Sequence, residues 1–319
     1  MSKVKNFVRN WTLPISMICG ALLYFAFAAM PISQETQDTT YHFVSNYIQP
    51  VLLFTMLFLN FIKVRPSEMR PRRWHLWVLL MQAACFVACS LLAIYFADDY
   101  GVKILCEGAM LAFICPTATA SAVIVGKLKG SISGIVTYIM LCNLMVSVLA
   151  PALLPIVEPG IGLDFITSFL MILAKVFPLL IFPLVTAWLV RYLLPKLHKK
   201  LLQYPDLSFY VWSVALALAI TVTVRSIMNS TVSVWYMVGL AIISGICCVI
   251  QFILGKRVGS LYDKETRITA GQAFGQKNTV FVIWLGLVFL DPVTSVVGGF
   301  YSVWHNTVNS YQLYKARKK

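Results

Sequence analysis

Residues 275–279, with the sequence Gly-Gln-Lys-Asn-Thr, are the stretch on which the interpretation of this chain depends. They lie inside an apolar run, 270–290, that is long enough to cross the hydrocarbon core of a bilayer. A lysine at that depth is costly unless its ammonium is paired or gives up its proton, and such residues mark functional sites in membrane proteins. The alternative is a helix that starts elsewhere and leaves Lys277 near the surface; we favour the buried site.

The composition of the whole chain is typical of a membrane protein. Of 319 residues, 59% are hydrophobic and 12% are charged, whereas the charged share of an ordinary soluble domain is about 25%. The net charge of +14 does not indicate a nucleic-acid partner, because the basic residues lie in short loops between apolar runs. The eight cysteines lie in or beside apolar runs, so we interpret them as small buried hydrophobic residues.

Ten segments are predicted to cross the membrane, which makes residues 1–319 a single all-α unit embedded in the lipid bilayer. The predicted spans are residues 11–30, 45–64, 76–97, 104–126, 132–157, 165–190, 208–224, 231–255, 270–290 and 293–314. The first run is longer than the apolar part of a signal peptide and is expected to remain as a span. A long polar loop, 256–269, is expected before the ninth span, and a turn at Asp291-Pro292 before the tenth.

Charged residues alternate between the two ends of these spans. Of the 26 basic residues, 22 lie at the chain termini and in the loops of one side. The charged residues of the opposite side are Lys103, Arg225, Glu35, Asp38, Asp98, Asp99, Glu158, Asp164 and Asp291. By the positive-inside rule, this pattern places both termini in the cytoplasm and the chain in the cytoplasmic (plasma or inner) membrane. Glu107, near the outer end of the fourth span, is expected to be solvated.

The two halves of the chain, 1–160 and 161–319, each carry five predicted spans, and an odd number gives the halves opposite orientations. Such inverted repeats are typical of secondary transporters. The fourth span carries Cys-Pro-Thr-Ala-Thr-Ala-Ser at 115–121, and the ninth carries the polar stretch 275–279. Proline and glycine weaken helices there, and broken helices at this depth must be buried in protein or line a wet cavity. A packing seam of small residues is the alternative, but two such stretches in matching positions favour a site.

Polar side chains within the spans supply the candidate site. Amides and a histidine stand in otherwise apolar helices, and each alone is more often an interhelical hydrogen bond than a ligand. The candidate binding residues are Lys277, Asn278, Thr279, Gln276, Thr119, Ser121, Gln82, His305 and Asn143. Further amides lie at Asn60, Asn306 and Asn309. Lys175, deep in the sixth span, either has a role or curls toward a cavity or an interface, and the sequence leaves both open.

Three motifs resemble the bile acid:sodium symporter family. Residues 115–121, followed by Lys-Leu-Lys-Gly at 127–130, are similar to its Cys-Pro-Gly-Gly-Thr-x-Ser-Asn segment, and 275–279 to its Gly-Met-Gln-Asn-Ser. Residues 302–306, Ser-Val-Trp-His-Asn, match its last span almost letter for letter. The resemblance implies a panel domain of spans one, two, six and seven, and a core domain of spans three to five and eight to ten. It also implies that spans four and nine cross where they are broken, and that an organic anion binds beside that crossing.

The sodium-coupled members of that family hold two sodium ions behind the crossing, and this chain departs from their ligands. Ala122 stands where the family has asparagine, Ala273 where it has glutamate, and Lys277 where it has glutamine. At the fifth-span positions, alignment leaves at best Asn143 as an oxygen ligand. A hard cation is not held by alanine, so we expect no metal ligands here and expect the lysine to supply the charge that an ion supplies in relatives.

The sequence therefore predicts a secondary transporter of a small organic solute, an organic anion, that works by alternating access and needs no cofactor. Sodium coupling, proton coupling and uncoupled transport remain open. A cation/proton antiporter would need paired carboxylates at mid-membrane, and the sequence has none there. A photoreceptor with a Schiff-base lysine would need seven spans and a buried carboxylate counter-ion, and the sequence predicts neither. An enzyme is not expected, because no nucleophile–base pair or metal cluster appears in the sequence.

Overall fold

The structure, a computed structural model, describes residues 2–159, 163–230 and 232–317, and its regular elements in those ranges are helical. The α-helices are α1 Ser2–Ala28, α2 Gln34–Phe43, α3 Gln49–Phe61, α4 Arg73–Tyr95, α5 Tyr100–Ile114, α6 Ser121–Lys127, α7 Ile132–Val157, α8 Phe165–Leu193, α9 Pro195–Leu202, α10 Leu207–Met228, α11 Val234–Ser260, α12 Lys264–Gly275, α13 Thr279–Phe289 and α14 Val296–Arg317. A π-helical turn, Val44–Ile48, joins α2 to α3, and a 3-10 turn, Pro292–Ser295, precedes α14.

Six helices of the described residues are long and apolar enough to cross a bilayer. They are Gln34–Phe61, which joins α2 and α3 through the π-helical turn, Arg73–Tyr95, Ile132–Val157, Phe165–Leu193, Leu207–Met228 and Val234–Ser260. Shorter apolar helices occupy Pro14–Ala28 and Thr279–Phe289. The prediction of an all-α membrane protein is confirmed at this level.

Large apolar side chains on the outer faces of these helices are exposed, as expected for surfaces in contact with lipid. Ile18 is 60% exposed, Leu91 61% and Ile246 53%. A soluble protein does not present so many large apolar side chains to water. Each of the three lies on a different helix, so the apolar surface extends around the bundle rather than forming a single patch.

Several predicted boundaries are confirmed and two are wrong. α7 coincides with the predicted span 132–157. The expected loop 256–269 is instead helical on both sides of residues 261–263, because Asp263 caps α12 by accepting a hydrogen bond from the Thr266 N–H at 2.6 Å. The helix that contains the second predicted span begins at Gln34 rather than 45, with Ser33 as its N-cap. Polar helices that continue beyond the bilayer carry no hydropathy signal, which explains both errors.

Some predictions fall on residues outside the described ranges. These are the boundary between the two halves at 160 and 161, the predicted start of the eighth span at residue 231, and the terminal residues Lys318 and Lys319. The side chains of the first eleven residues, with three of the basic residues counted above, also lie outside the description.

The helices pack in two groups. In the first, α10 contacts α1 and α3, and α3 contacts α8; in the second, α4 to α7 pack with α11 to α14. The two groups are also joined by the contact of α7 with α8. The loops at one end, which we call the basic end, are joined by bonds such as Lys63 Nζ to the Pro205 carbonyl at 2.8 Å and Ser131 N–H to Thr269 Oγ1 at 2.8 Å. At the opposite end, which we call the acidic end, Tyr100 donates to Asp291 at 2.6 Å.

Candidate functional site

Two helices are interrupted at the same place, and their interruptions cross. Residues 115–120 separate α5 from α6, and residues 276–278 separate α12 from α13. The two extended stretches pair in antiparallel fashion: the Asn278 N–H donates to the Pro116 carbonyl at 2.8 Å, and the Ala118 N–H to the Gln276 carbonyl at 3.2 Å. Backbone groups at membrane depth require such partners, and here each break supplies them to the other.

Side chains also close the crossing. Thr117 Oγ1 donates to the Ala273 carbonyl at 2.5 Å, and the Cys115 thiol lies 3.2 Å from the Asn278 carbonyl. The Ala273 carbonyl lies in the last turn of α12, where a broken helix leaves carbonyls without an intrahelical partner, whereas the Asn278 carbonyl also accepts from the Val282 N–H of α13 at 3.2 Å. The two interrupted helices are therefore bonded to each other through backbone and side chains alike.

A glutamine and a tyrosine hold the end of α5. Gln82 of α4 is fully buried, and its amide donates to the Cys115 carbonyl at 3.1 Å. Tyr138 of α7 donates its hydroxyl to the Gln82 amide oxygen at 2.9 Å. The carbonyl of the helix end, the amide and the hydroxyl form one chain of buried hydrogen bonds.

A second glutamine–tyrosine pair holds the end of α12. Tyr301 of α14 donates to the Gly275 carbonyl at 2.9 Å, and Gln251 of α11 donates to the Tyr301 hydroxyl at 3.1 Å. The same amide of Gln251 lies 3.2 Å from the Ala112 carbonyl of α5. Each break thus has one glutamine from the preceding long helix and one tyrosine from the following one.

A polar groove lies beside the crossing and extends toward the basic end. Two adjoining cavities, of about 220 and 240 Å³, share Asn60, Thr119, Ala120 and Ser208. Between them, the Asn60 amide of α3 donates to Thr119 Oγ1 at 2.6 Å. The second cavity reaches the loop at the basic end through Lys63, Val64 and Met69. The groove therefore separates the two groups of helices on this side of the crossing.

Besides Lys277, five of the predicted site residues line the first cavity with their side chains or backbone. They are Thr119, Gln276, Asn278, Thr279 and His305. Asn306 and Asn309, one and four residues after His305 on α14, line it too. The groove wall is consequently rich in amides and hydroxyls, which can donate to a polar or anionic solute.

Lys277 lies at the crossing, but its ammonium does not face the groove. The residue is 1% exposed, and Nζ lies 3.5 Å from the Phe113 carbonyl and 5.1 Å from the centre of the Phe274 ring. A distance of 3.5 Å is long for a hydrogen bond, so the ammonium is weakly paired. Its backbone borders the cavity, while its charge is held behind the crossing, inside the second group of helices.

Three predicted site residues lie away from the groove. Ser121 is fully buried and its hydroxyl has no hydrogen-bond partner in the described part of the chain. Gln82 lies behind the crossing, at the end of α5. Asn143 of α7 is buried with its amide 3.4 Å from the Leu180 carbonyl of α8. These positions make Gln82 and Asn143 structural hydrogen-bonding groups in this conformation rather than lining residues.

Two of the three positions at which the chain was predicted to depart from the sodium ligands of the symporters carry alanine. Ala273 is buried in α12, and its carbonyl accepts the Thr117 hydrogen bond. Ala122 lines the second cavity. Among the described residues there is no cluster of three or more histidine, cysteine, aspartate or glutamate side chains suited to a metal ion.

The prediction that Glu107 is solvated is wrong. For Lys175, the structure favours a side chain that reaches a cavity. The Glu107 side chain is fully buried, because α5 is covered by α11 and α14 where a free helix would meet water. Lys175 is exposed and lines a cavity at the acidic end, with Nζ 5.6 Å from the centre of the Phe289 ring. Hydropathy alone gives depth along a helix, but it does not give the direction of a side chain.

Groove residues on α3 and α10 were not predicted. Met56, Ser208, Phe209 and Trp212 line the first cavity opposite the crossing. They belong to uninterrupted apolar helices, where no proline, glycine or cluster of polar residues distinguishes them. Asn60 was the signal available on this side, as a single amide in the second span.

Known families give no further guide to the chain. No model of a known protein family matches it, and no curated protein matches it either. The function is therefore argued from the residues and their geometry. At the level that the structure shows, the described residues form an all-helical protein in which six helices are long and apolar enough to cross a membrane.

Proposed function

We propose that this chain is a secondary transporter of a small organic anion, related to the bile acid:sodium symporters, that works by alternating access. The observation that carries the proposal is the polar groove beside two paired, interrupted helices. Irregular backbone at membrane depth is expected only where it is buried or lines a cavity, and transporters use it to bind their solute. Here the irregular backbone does both.

A ten-span inverted repeat accounts for the helices. In it, α5 with α6 and α12 with α13 form the fourth and ninth spans, and α14 forms the tenth. The glutamine–tyrosine pairs support this assignment, because Gln82 and Gln251 would lie on the third and eighth spans and Tyr138 and Tyr301 on the fifth and tenth. These are equivalent positions in two halves of opposite orientation.

The two packing groups support the proposed panel and core domains. The panel would contain α1, α3, α8 and α10, and the core the remaining spans. At the acidic end the two are in contact: the Trp284 indole donates to the Ser45 carbonyl at 3.1 Å, and Thr223 lies 3.5 Å from Ser295. A groove open at the basic end and a contact at the acidic end correspond to a state that faces the cytoplasm, if the basic end is cytoplasmic.

The groove favours an anion over a cation as the transported solute. No carboxylate of the described residues lines the first cavity, while Asn278, Thr279 and Asn306 carry donors. α13 begins at Thr279, and the positive end of a helix dipole favours negative charge. The buried ammonium of Lys277 adds a positive charge behind the crossing. A carboxylate-bearing solute in contact with Asn278 and Thr279 fits these features.

Lys277 is proposed to replace a coupling cation. A positive charge on Lys277 at the crossing would stabilise the paired backbone carbonyls and the bound anion without sodium, and Ala122 and Ala273 lack the oxygens that sodium would need. Proton-coupled and uncoupled transport are then the two modes left.

The coupling mode is tested by uptake of an organic anion into proteoliposomes under separate sodium, proton and null gradients, after a thermal-shift screen has identified the anion. A full response to sodium would contradict the replacement.

The role of Lys277 is tested by Lys277→Ala and Lys277→Met, since methionine keeps most of the side-chain volume without the charge. We expect uptake to be abolished or uncoupled in both, because the crossing loses its positive charge. Lys264→Ala is the matched control: it lies at the exposed start of the same broken helix, α12, and is expected to transport normally. Unchanged uptake by either Lys277 variant would refute the role.

A further inference from the structure

A second charged region lies at the acidic end, on the far side of the crossing from the groove. A cavity of about 530 Å³ there is lined by Glu158 at the end of α7, Asp291 before α14, and Lys175 of α8. The two acids belong to one group of helices and the lysine to the other. Opposite charges therefore line one cavity where the two groups meet at the acidic end, a boundary that we call the seam.

Behind this cavity, Glu107 of α5 is buried without adequate pairing. Its side chain is 0% exposed, and neither carboxylate oxygen has a hydrogen-bond partner in the described part of the chain. Lys103, one turn earlier, lies 3.7 Å from Glu107 but 2.5 Å from Glu158. The Lys103 ammonium is thus shared between two carboxylates, and it lies closer to Glu158 than to Glu107.

Among the remaining titratable groups near Glu107, the carboxylates are like charges that add to this imbalance, and Glu158 is close enough to accept a hydrogen bond from a protonated Glu107. The titratable groups are Tyr100, Cys106, Glu158 and Asp291, together with Lys103 itself. Tyr100 is committed to Asp291, to which it donates at 2.6 Å. With every carboxylate ionised, this side of the seam carries an excess of negative charge in a region of low dielectric constant. A buried carboxylate without hydrogen bonds is stabilised by taking up a proton.

We propose that Glu107 is a proton-binding site, reached from the cavity at the acidic end, and that its occupancy sets the attraction across the seam at that end. When Glu107 is ionised, the side of Glu158 and Asp291 is more negative and attracts Lys175 more strongly, which keeps the seam closed. When Glu107 is protonated, one negative charge is removed and Lys103 is left to Glu158 alone. The attraction weakens, and opening of the seam becomes easier. The effect on opening of the seam rests on the proposed transport function, whereas the proton-binding site at Glu107 does not.

The site itself is tested without transport, by infrared difference spectroscopy of the purified protein during acidification. We expect a protonated carboxylic-acid band in the wild type that is absent in Glu107→Gln and retained in Asp98→Asn, an exposed acid of the same end. Lys103→Met, which removes the one nearby cation, is expected to show the band already at neutral pH. A band that persists unchanged in Glu107→Gln would overturn the site.

The effect on the seam is tested by uptake with equal pH on both sides of the membrane, so that no proton gradient contributes. Wild-type and Asp98→Asn uptake are expected to rise roughly fivefold from mildly alkaline to mildly acidic pH, the order expected for one charge acting across a small cavity. Glu107→Gln is expected to stay at the high level at every pH. A wild-type pH response in this variant would overturn the link to the seam. A protein that shows the infrared band but transports no anion would refute the proposed function and leave the proton site standing.

Discussion

The two broken helices meet at one place but are held in different ways. Every residue of α12 and α13 from Thr269 to Gly286 is buried, because α11, α14 and α7 surround them. α6, the second half of the other broken helix, is only seven residues long, and Val123 and Lys127 on it are exposed. The break between α12 and α13, which we call the enclosed break, is surrounded by closely packed backbone. The break between α5 and α6, which we call the open break, leads into a partly exposed helix, and a buried amide binds the end of α5.

This difference indicates which interactions each break depends on. The enclosed break depends on glycines that let backbones approach, as between α11 and α12. The open break depends on Gln82, which binds the carbonyl at the end of α5. Substitutions at the two kinds of position are expected to act unequally, and the difference can be measured by thermal unfolding in detergent.

The largest effect is expected from Gly255→Ala at the enclosed break. A Cβ at this position would lie 2.4 Å from the Ala270 carbonyl oxygen of α12, so α11 and α12 would have to separate. Overpacking of this kind costs roughly 1–3 kcal/mol. Gly126→Ala on α6 is the matched control, since its nearest neighbour is the end of the Ile132 side chain at 3.2 Å. Equal loss of thermal stability in both variants would show that the two breaks are packed alike.

An intermediate effect is expected from Gln82→Leu. The substitution removes the hydrogen bond to the Cys115 carbonyl and the one from the Tyr138 hydroxyl, and the two together contribute about 2 kcal/mol. Gln251→Leu is expected to cost less, because the Gln251 side-chain oxygen already lacks a partner in the described part of the chain. The order of the two melting temperatures checks this, and a larger loss for Gln251→Leu would reverse the proposed dependence.

The smallest effects are expected from the two tyrosines. Here the variant at the break between α12 and α13 is expected to lose more stability than the variant at the break between α5 and α6. Tyr301→Phe removes the donor to the Gly275 carbonyl and is expected to cost about 1 kcal/mol. Tyr138→Phe is expected to cost less, because the Gln82 oxygen keeps the Cys142 thiol at 3.4 Å as a second donor. Thermal unfolding of the two single variants provides the measurement, and a Tyr138→Phe loss as large as that of Gln82→Leu would mean that the hydroxyl, not the amide, holds α5.

Features with a local signal could be predicted from the sequence. α7 coincides with its hydropathy run, and the breaks fall at Pro116 and just after Gly275, where one backbone donor is missing and one helix former is weak. The same weak points predict that Lys277 lies at the break of the ninth predicted span. Thr119, Gln276, Asn278, Thr279 and His305 followed from their nearness to these points.

Features set by contacts distant in sequence could not be predicted. The direction of the Lys277 ammonium depends on Phe113 and Phe274, and the burial of Glu107 depends on helices that come more than a hundred residues later. Gln251 and Tyr301 are single polar residues in long helices, and nothing local marks them as a pair. The start of α12 depends on a capping aspartate outside the apolar run, where hydropathy carries no information.

The pairing of the two interruptions also imposes an order on the biogenesis of the protein. Cys115 and Asn278 are in contact although 163 residues separate them, so the ribosome completes the first interrupted helix long before its partner exists. During that interval its unpaired amide and carbonyl groups cannot rest in hydrocarbon, and water or the insertion machinery must solvate them. We therefore expect α5 and α6 to reach their final positions only after α12 and α13 have been inserted.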